Sequence, residues 1–102
     1  MEITKIVITP TKKYLHTPVK AFATVILDRD IAINGIKIID RPNKETEIIF
    51  PEFTHLDGSK YGFVVPLRAD VREWLCSAVL EEYNKSGSDF RFFYIREKVF
   101  AL

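Results

Sequence analysis

Few side chains of this chain have the types and spacing that chemistry needs. His16 and His55 both fall in segments that read as loops, and neither has a Cys or a second His at metal-ligand spacing. His55 has a carboxylate two residues on, Asp57, and such a pair can move a proton. In a polar turn, however, both groups ordinarily face water. Cys76 sits among the apolar positions of a helical segment, where a free thiol behaves as a small hydrophobe and no neighbouring base activates it. The four glycines are scattered rather than gathered into a phosphate-cradling loop. The expectation is no catalysis, no metal or other cofactor, and no small-molecule substrate.

Two basic features remain. Lys12-Lys13 precedes Tyr14, and Arg91, Arg96 and Lys98 interleave with Phe92, Phe93 and Tyr94. Cations neutralise phosphates and aromatic faces stack on bases, so interleaving of this kind suits a single strand of nucleic acid. The same spacing also suits an edge strand with one buried aromatic face and one charged wet face, and Lys12-Lys13 also suits a solvated loop. A formal net charge of +1 gives no global attraction to nucleic acid or membrane, so any basic surface must come from uneven placement of charge.

The elements that would position these groups are mostly strands. Residues 2 to 9 alternate through Ile3, Lys5 and Val7 with β-branched residues in excess, and Pro10 should end the run. A polar connector, Thr11 to Pro18, leads to a second strand, Val19 to Leu27, and past the polar hinge Asp28-Arg29-Asp30 to a third, Ile31 to Ile39. Asn34-Gly35 inside that third run is either a type I′ hairpin or a bulge. The bulge is favoured because the apolar phase shifts across it, from Ile31 and Ile33 to Ile36 and Ile38. A short strand from Thr46 to Phe50 ends at Pro51. The Asp57-Gly58 turn then folds back a strand from Tyr61 to Val65.

Asp70 followed by Glu73 resembles a capping box that starts a helix. Val71, Leu75, Ala78, Val79 and Tyr83 line one face of it, Arg72, Glu73, Glu81 and Glu82 fall mostly elsewhere, and Gly87 is a reasonable stop. Phe90 to Leu102 alternates enough for one more strand. Several consecutive strands followed by a helix imply an α+β domain, an antiparallel meander of about five strands with one C-terminal helix packed on it and room for an extra C-terminal strand. The length of 102 residues fits one domain, and 47% hydrophobic with 28% charged residues is an ordinary globular balance. A single cysteine excludes an intramolecular disulfide, the start shows no basic and then apolar leader, and no apolar run reaches the roughly 20 residues of a membrane helix. A cytoplasmic protein is expected.

Met1-Glu2-Ile3-Thr4, Ala23 through Leu27-Asp28, Ile36 to Ile39-Asp40, Phe50-Pro51, Asp57-Gly58 and Ala78-Val79-Leu80-Glu81-Glu82-Tyr83 occur in the order seen in the stage V sporulation protein G (SpoVG) family, which the chain resembles over residues 1–84. The strength lies in the ordered set rather than in any one motif. The resemblance implies a small dimeric protein with an antiparallel sheet and a C-terminal helix, binding DNA or RNA as a regulator of septation, sporulation or gene expression, without enzyme activity or cofactor. It divides the chain into a SpoVG-like domain, residues 1–86, and an aromatic extension, residues 87–102.

The family associates nucleic-acid contact with a Lys-Arg pair after the proline matched by Pro51. Here those positions read Phe53-Thr54, preceded by Glu52, and Lys60 is the nearest cation that remains. The residues expected to meet nucleic acid are therefore Lys12, Lys13, Lys60, Arg91 and Arg96, brought into one stripe on a two-fold dimer. The alternative is a dimeric protein-interaction module on the same scaffold from which nucleic-acid binding has been lost.

Overall fold

Three nine-residue strands carry the fold: β1 (Glu2–Pro10), β2 (Val19–Leu27) and β3 (Ile31–Ile39). After them come β4 (Glu47–Ile49), two further three-residue strands, β5 (Glu52–Thr54) and β6 (Lys60–Gly62), the helix α1 (Ala69–Lys85), and the short strands β7 (Tyr94–Arg96) and β8 (Phe100–Ala101). The computed structural model describes residues 1–11, 17–85, 94–96 and 100–101, the last two segments as backbone. β4, β3, β2 and β1 form an antiparallel meander in that spatial order, and β7 and β8 both pair with the free side of β1. An exposed edge is thereby covered by the chain itself. β5 and β6 pair only with each other, as a separate two-stranded ribbon. The architecture is α+β, with strands first and the helix after, as the order of the elements implies.

The expected bounds of β2 and β3 agree with the structure residue for residue. At Asn34-Gly35 the bulge, not the hairpin, is found. Ala23 pairs with Ile36 and Val25 with Ile33, so two residues of β3 oppose the single Thr24. Gly35 takes φ +74°, the left-handed conformation that a bulge of this kind asks of glycine. Ile33, Ile36 and Ile38 are thus all buried. The polar hinge before β3 is a three-residue hairpin connection between Leu27 and its partner Ile31, with Asp28 (φ 52°) and Arg29 (φ 63°) both left-handed and the Asp30 N–H on the Leu27 carbonyl at 2.9 Å.

A second bulge, at Thr4, has no glycine to announce it. Ile3 pairs with Leu27 but Lys5 with Ile26, which puts Ile3 in phase with Ile6 and Ile8. All three are fully or almost fully buried. The Thr4 hydroxyl holds the irregularity, donating to the Ile26 carbonyl at 3.2 Å and accepting from the Arg29 N–H at 3.0 Å.

The core lies on one face of the meander, where Ile3, Ile6, Ile8, Ala21, Ala23, Val25, Ile36 and Ile38 meet Leu75, Ala78, Val79 and Tyr83 of α1. Burying a large aliphatic side chain stabilises by about 1.5–3 kcal/mol, so this single layer of contact dominates stability. Two expectations for the helix need correction. The Arg72 N–H donates to the Arg68 carbonyl, which makes Arg68 the N-cap residue. Asp70 is then inside the first turn, where its carboxylate accepts from the Val71 N–H at 2.9 Å and pairs with Arg68. Glu82, expected on the wet side, is completely buried beside Tyr83. The helix is described as far as Lys85, and the expected stop at Gly87 lies outside the described residues.

The segment after β3 also differs from expectation. The strand expected over Thr46 to Phe50 is reduced to Glu47–Ile49, and the one over Tyr61 to Val65 to Lys60–Gly62. Glu52–Thr54, for which no strand was expected, is the strand β5. The fifth meander strand therefore does not join the main sheet. It folds back on β5, with Glu52 opposite Gly62, Phe53 opposite Tyr61 and Thr54 opposite Lys60.

Candidate functional site

Pro51 is the joint of the β5–β6 ribbon. Its carbonyl accepts from the Phe63 N–H at 2.9 Å, which ties the far end of β6 back to the start of β5. The tip, residues 55–59, is closed by the Gly58 N–H on the His55 carbonyl and the His55 N–H on the Ser59 carbonyl, with Gly58 at φ +88°. Asp57 accepts from both the N–H and the hydroxyl of Ser59, and these bonds hold its carboxyl below the usual carboxylate range. The expected Asp57-Gly58 turn is there, and its polar groups are used by the turn.

Alternation gives the ribbon two unlike faces. Phe53 and Tyr61 are directly opposed, and His55 and Phe63 follow at two-residue spacing on the same side. Phe53 meets His55 edge-on at a centroid distance of 5.1 Å, Phe53 meets Phe63 at 6.4 Å, and Tyr61 meets Phe63 at 6.1 Å. These are ordinary distances for tilted aromatic pairs, yet Phe53, Tyr61 and Phe63 remain 49%, 60% and 65% exposed. Leu56 at the tip, and Val65 and Leu67 beyond β6, are exposed as well. The other face carries Lys60 and Glu52, ion-paired at 3.3 Å. At the foot of the ribbon Arg72 of α1 stands 5.8 Å from the centre of the Phe50 ring, beside a cleft of about 290 Å³ lined by Ile49, Pro51, Glu52, Lys60, Val64 and Arg72.

Among the residues expected to meet nucleic acid, Lys60 is on the ribbon and is engaged by Glu52. Arg96 is in β7, opposite Ile6, on the other side of the main sheet from β4. Lys12, Lys13 and Arg91 lie outside the described residues. Lys60 and Arg96 are therefore not brought together within one protomer. Other cations went unnoticed in the sequence: Lys20 and Lys37 are exposed on the main sheet and have no ion pair among the described residues. The ribbon's rings went unnoticed too. The usable signal was Phe53-x-His55 and Tyr61-x-Phe63 placed symmetrically about Asp57-Gly58, but three-residue strands beside a proline give little periodicity to read.

The two histidines and the cysteine form no centre. His16 is outside the described residues, and no group of three or more His, Cys, Asp and Glu is arranged to hold a metal among the described ones. Cys76 is half-buried on α1, and burial pushes its thiol pKa up, away from nucleophilic reactivity. No described helix is long and apolar enough to cross a membrane.

An antiparallel meander closed on one face by a single helix, with an appended ribbon that presents rings to solvent, defines a small α+β protein. Residues 1–85 match SpoVG, and the chain belongs to the SpoVG family. It is 30% identical over 70 residues to a protein of Oceanobacillus iheyensis that bears a SpoVG septation-protein name, covering 69% of this chain and 72% of that one. Proteins of the same name from Anaeromyxobacter sp. strain K and Anaeromyxobacter dehalogenans are 31% identical over 85 residues, covering 83% of this chain and 80% of each.

Proposed function

We propose that the chain is a SpoVG-type regulatory protein that works as a homodimer, assembles through the aromatic face of its ribbon, and binds DNA or RNA through cations of the main sheet and its flanking segments. The observation that supports this is a division of labour between two surfaces. On the ribbon, the one lysine is engaged by a carboxylate and the rings are exposed, which suits apolar contact with a protein surface. On the main sheet, Lys20 and Lys37 are exposed and unengaged among the described residues, which suits phosphate. A two-fold axis presents each such lysine twice, so a near-neutral protomer still offers a basic surface. The relatives' septation name points to a role in cell division, and that role is carried here as part of the proposal.

Fluorescence anisotropy with labelled DNA and RNA at low and raised salt tests the reading, together with sedimentation equilibrium. The expected result is a dimer whose affinity is about micromolar or weaker and falls steeply with salt. A second reading, an interaction module without nucleic-acid binding, is favoured by the Glu52-Phe53-Thr54 segment. A stable dimer that binds neither DNA nor RNA even at low salt establishes that second reading instead.

A further inference from the structure

Among the described residues the helix covers one face of the meander and leaves the other open. Along the regular part of the β1–β2 ladder, Thr9 is opposite Phe22 and Val7 opposite Thr24, and the Thr11 N–H continues it by bonding the Lys20 carbonyl at 3.0 Å. Phe22 and Thr24 therefore share the open face, and Lys20, the extra residue of a bulge where Val19 pairs with Ile39 and Ala21 with Ile38, is exposed next along the strand. On the other side of β2, Phe22 is directly opposite Lys37. Directly opposed side chains stand about 5 Å apart, and positions two residues along a strand about 7 Å apart. Phe22 is thus flanked by Lys37 across the strands and Lys20 along its own. It is 39% exposed in spite of its size, and both lysines are exposed.

Lys5, opposite Ile26, stands on this face toward its far end, near Arg29. At that end Glu2 and Asp28 are also joined, with the Glu2 N–H on Asp28 Oδ1 and the Asp28 N–H on the Glu2 carbonyl, both 2.8 Å. At the near end the carboxylate next along the strands, Glu47 opposite Ile39, is paired with Arg41 at 3.7 Å. Neither Lys20 nor Lys37 has an ion-pair partner among the described residues. An exposed ring beside two exposed cations that have no ion-pair partner among the described residues is complementary to a chain of phosphates carrying unpaired bases. A duplex offers phosphates but keeps its base faces stacked away from such a ring.

We infer that the near end of the open sheet face is a seat for single-stranded nucleic acid, with one base stacked on Phe22 and the flanking phosphates on Lys20 and Lys37. This rests on the nucleic-acid reading above and names its site and the strandedness of its ligand.

The test is an anisotropy titration of the full chain with a labelled oligouridine and oligothymidine of about twelve nucleotides and a duplex of the same length, each at about 50 mM and about 200 mM salt. Both single strands should bind more tightly than the duplex. Phe22→Ala and Phe22→Leu should each weaken single-strand binding about tenfold while leaving the salt slope unchanged. Lys20→Gln and Lys37→Gln should each lower the slope by about 0.7. All three positions are exposed, and unchanged circular dichroism should confirm that the fold is kept. Tighter binding of the duplex overturns the inference, as does wild-type affinity in all four variants. In the latter case nucleic-acid binding itself still stands, at another site. No binding of any oligonucleotide by the wild type overturns the underlying reading and this seat with it.

Discussion

Tyr83 shows how much one residue can join. It sits on the buried face of α1, and its hydroxyl donates to Asp40 Oδ2 at 2.9 Å, so the helix is fastened to the end of β3 across 43 positions of sequence. Burial and the adjacent carboxylate both favour the neutral phenol and push its pKa up to about 12. Tyr83→Phe keeps the ring and removes the bond, which should cost about 1–2 kcal/mol of stability, the usual worth of a hydrogen bond to a charged group. The pH dependence has a definite sign. A folded pKa raised above the unfolded value near 10 stabilises fully below pH 10, and that contribution is lost as the pH rises toward 12. Denaturant unfolding of wild type and Tyr83→Phe from pH 7 upward should show a constant gap that closes over this window. A gap that persists at pH 12 would mean the bond is not the cause. Thr4 is the second joining residue, since its buried hydroxyl serves both Ile26 and Arg29. Thr4→Val should cost about 1–3 kcal/mol by stranding the Arg29 N–H, measured in the same way.

Among the elements, the bulges decide which side chains reach the core. A methyl group added at Gly35 would meet only Pro51 Cγ, at 4.0 Å, so crowding is not the obstacle to a side chain there. The obstacle is its positive φ, which costs a non-glycine residue about 1–2 kcal/mol. Gly35→Ala should lower stability by about that amount, and Gly35→Asn by less, because asparagine tolerates the left-handed region better. Thermal unfolding of the two variants checks the order, and equal losses would point to packing instead. This bulge was legible in the sequence because an Asn-Gly pair and a shift of apolar phase coincided. The one at Thr4 was not, since threonine in a β-branched run raises no signal and the shift could be seen only from the register of β2. The long strands were legible for the ordinary reason that nine alternating residues outweigh local noise. The ribbon was not, because Glu52–Thr54 is three residues with two exposed side chains, and what fixes it is the Pro51 carbonyl bonded to Phe63. Glu82 misled for a physical reason as well: a carboxylate's type says nothing about a buried position that the helix geometry imposes. On the side of function, the expected lysine Lys60 was found committed to Glu52, and the exposed sheet lysines Lys20 and Lys37 went unnoticed because single lysines within strands carry no signal of their own.

For the whole molecule, the question is what covers the ribbon. The main sheet protects its β1 edge with β7 and β8, but nothing comparable covers Phe53, Tyr61 and Phe63 among the described residues. Each such ring can bury on the order of 150–250 Å², and apolar area removed from water is worth roughly 25 cal/mol per Å² before the cost of association is met. Phe53 and Phe63 from each of two copies could therefore hold a dimer without any charged contact. They contribute little to the protomer, being about half exposed already. The two effects separate cleanly in the double variant Phe53→Ser with Phe63→Ser. Its self-association should weaken at least about tenfold by sedimentation equilibrium, since every 1.4 kcal/mol lost is tenfold in Kd. At high dilution, where both proteins are monomers, its melting temperature should equal that of the wild type. The wild type's melting temperature should rise with protein concentration, and the variant's should not, because only a folded state that binds its own copy is stabilised by mass action. A variant that melts early at every concentration would make the ribbon a structural part of the protomer. One that dimerises like the wild type would move the interface elsewhere.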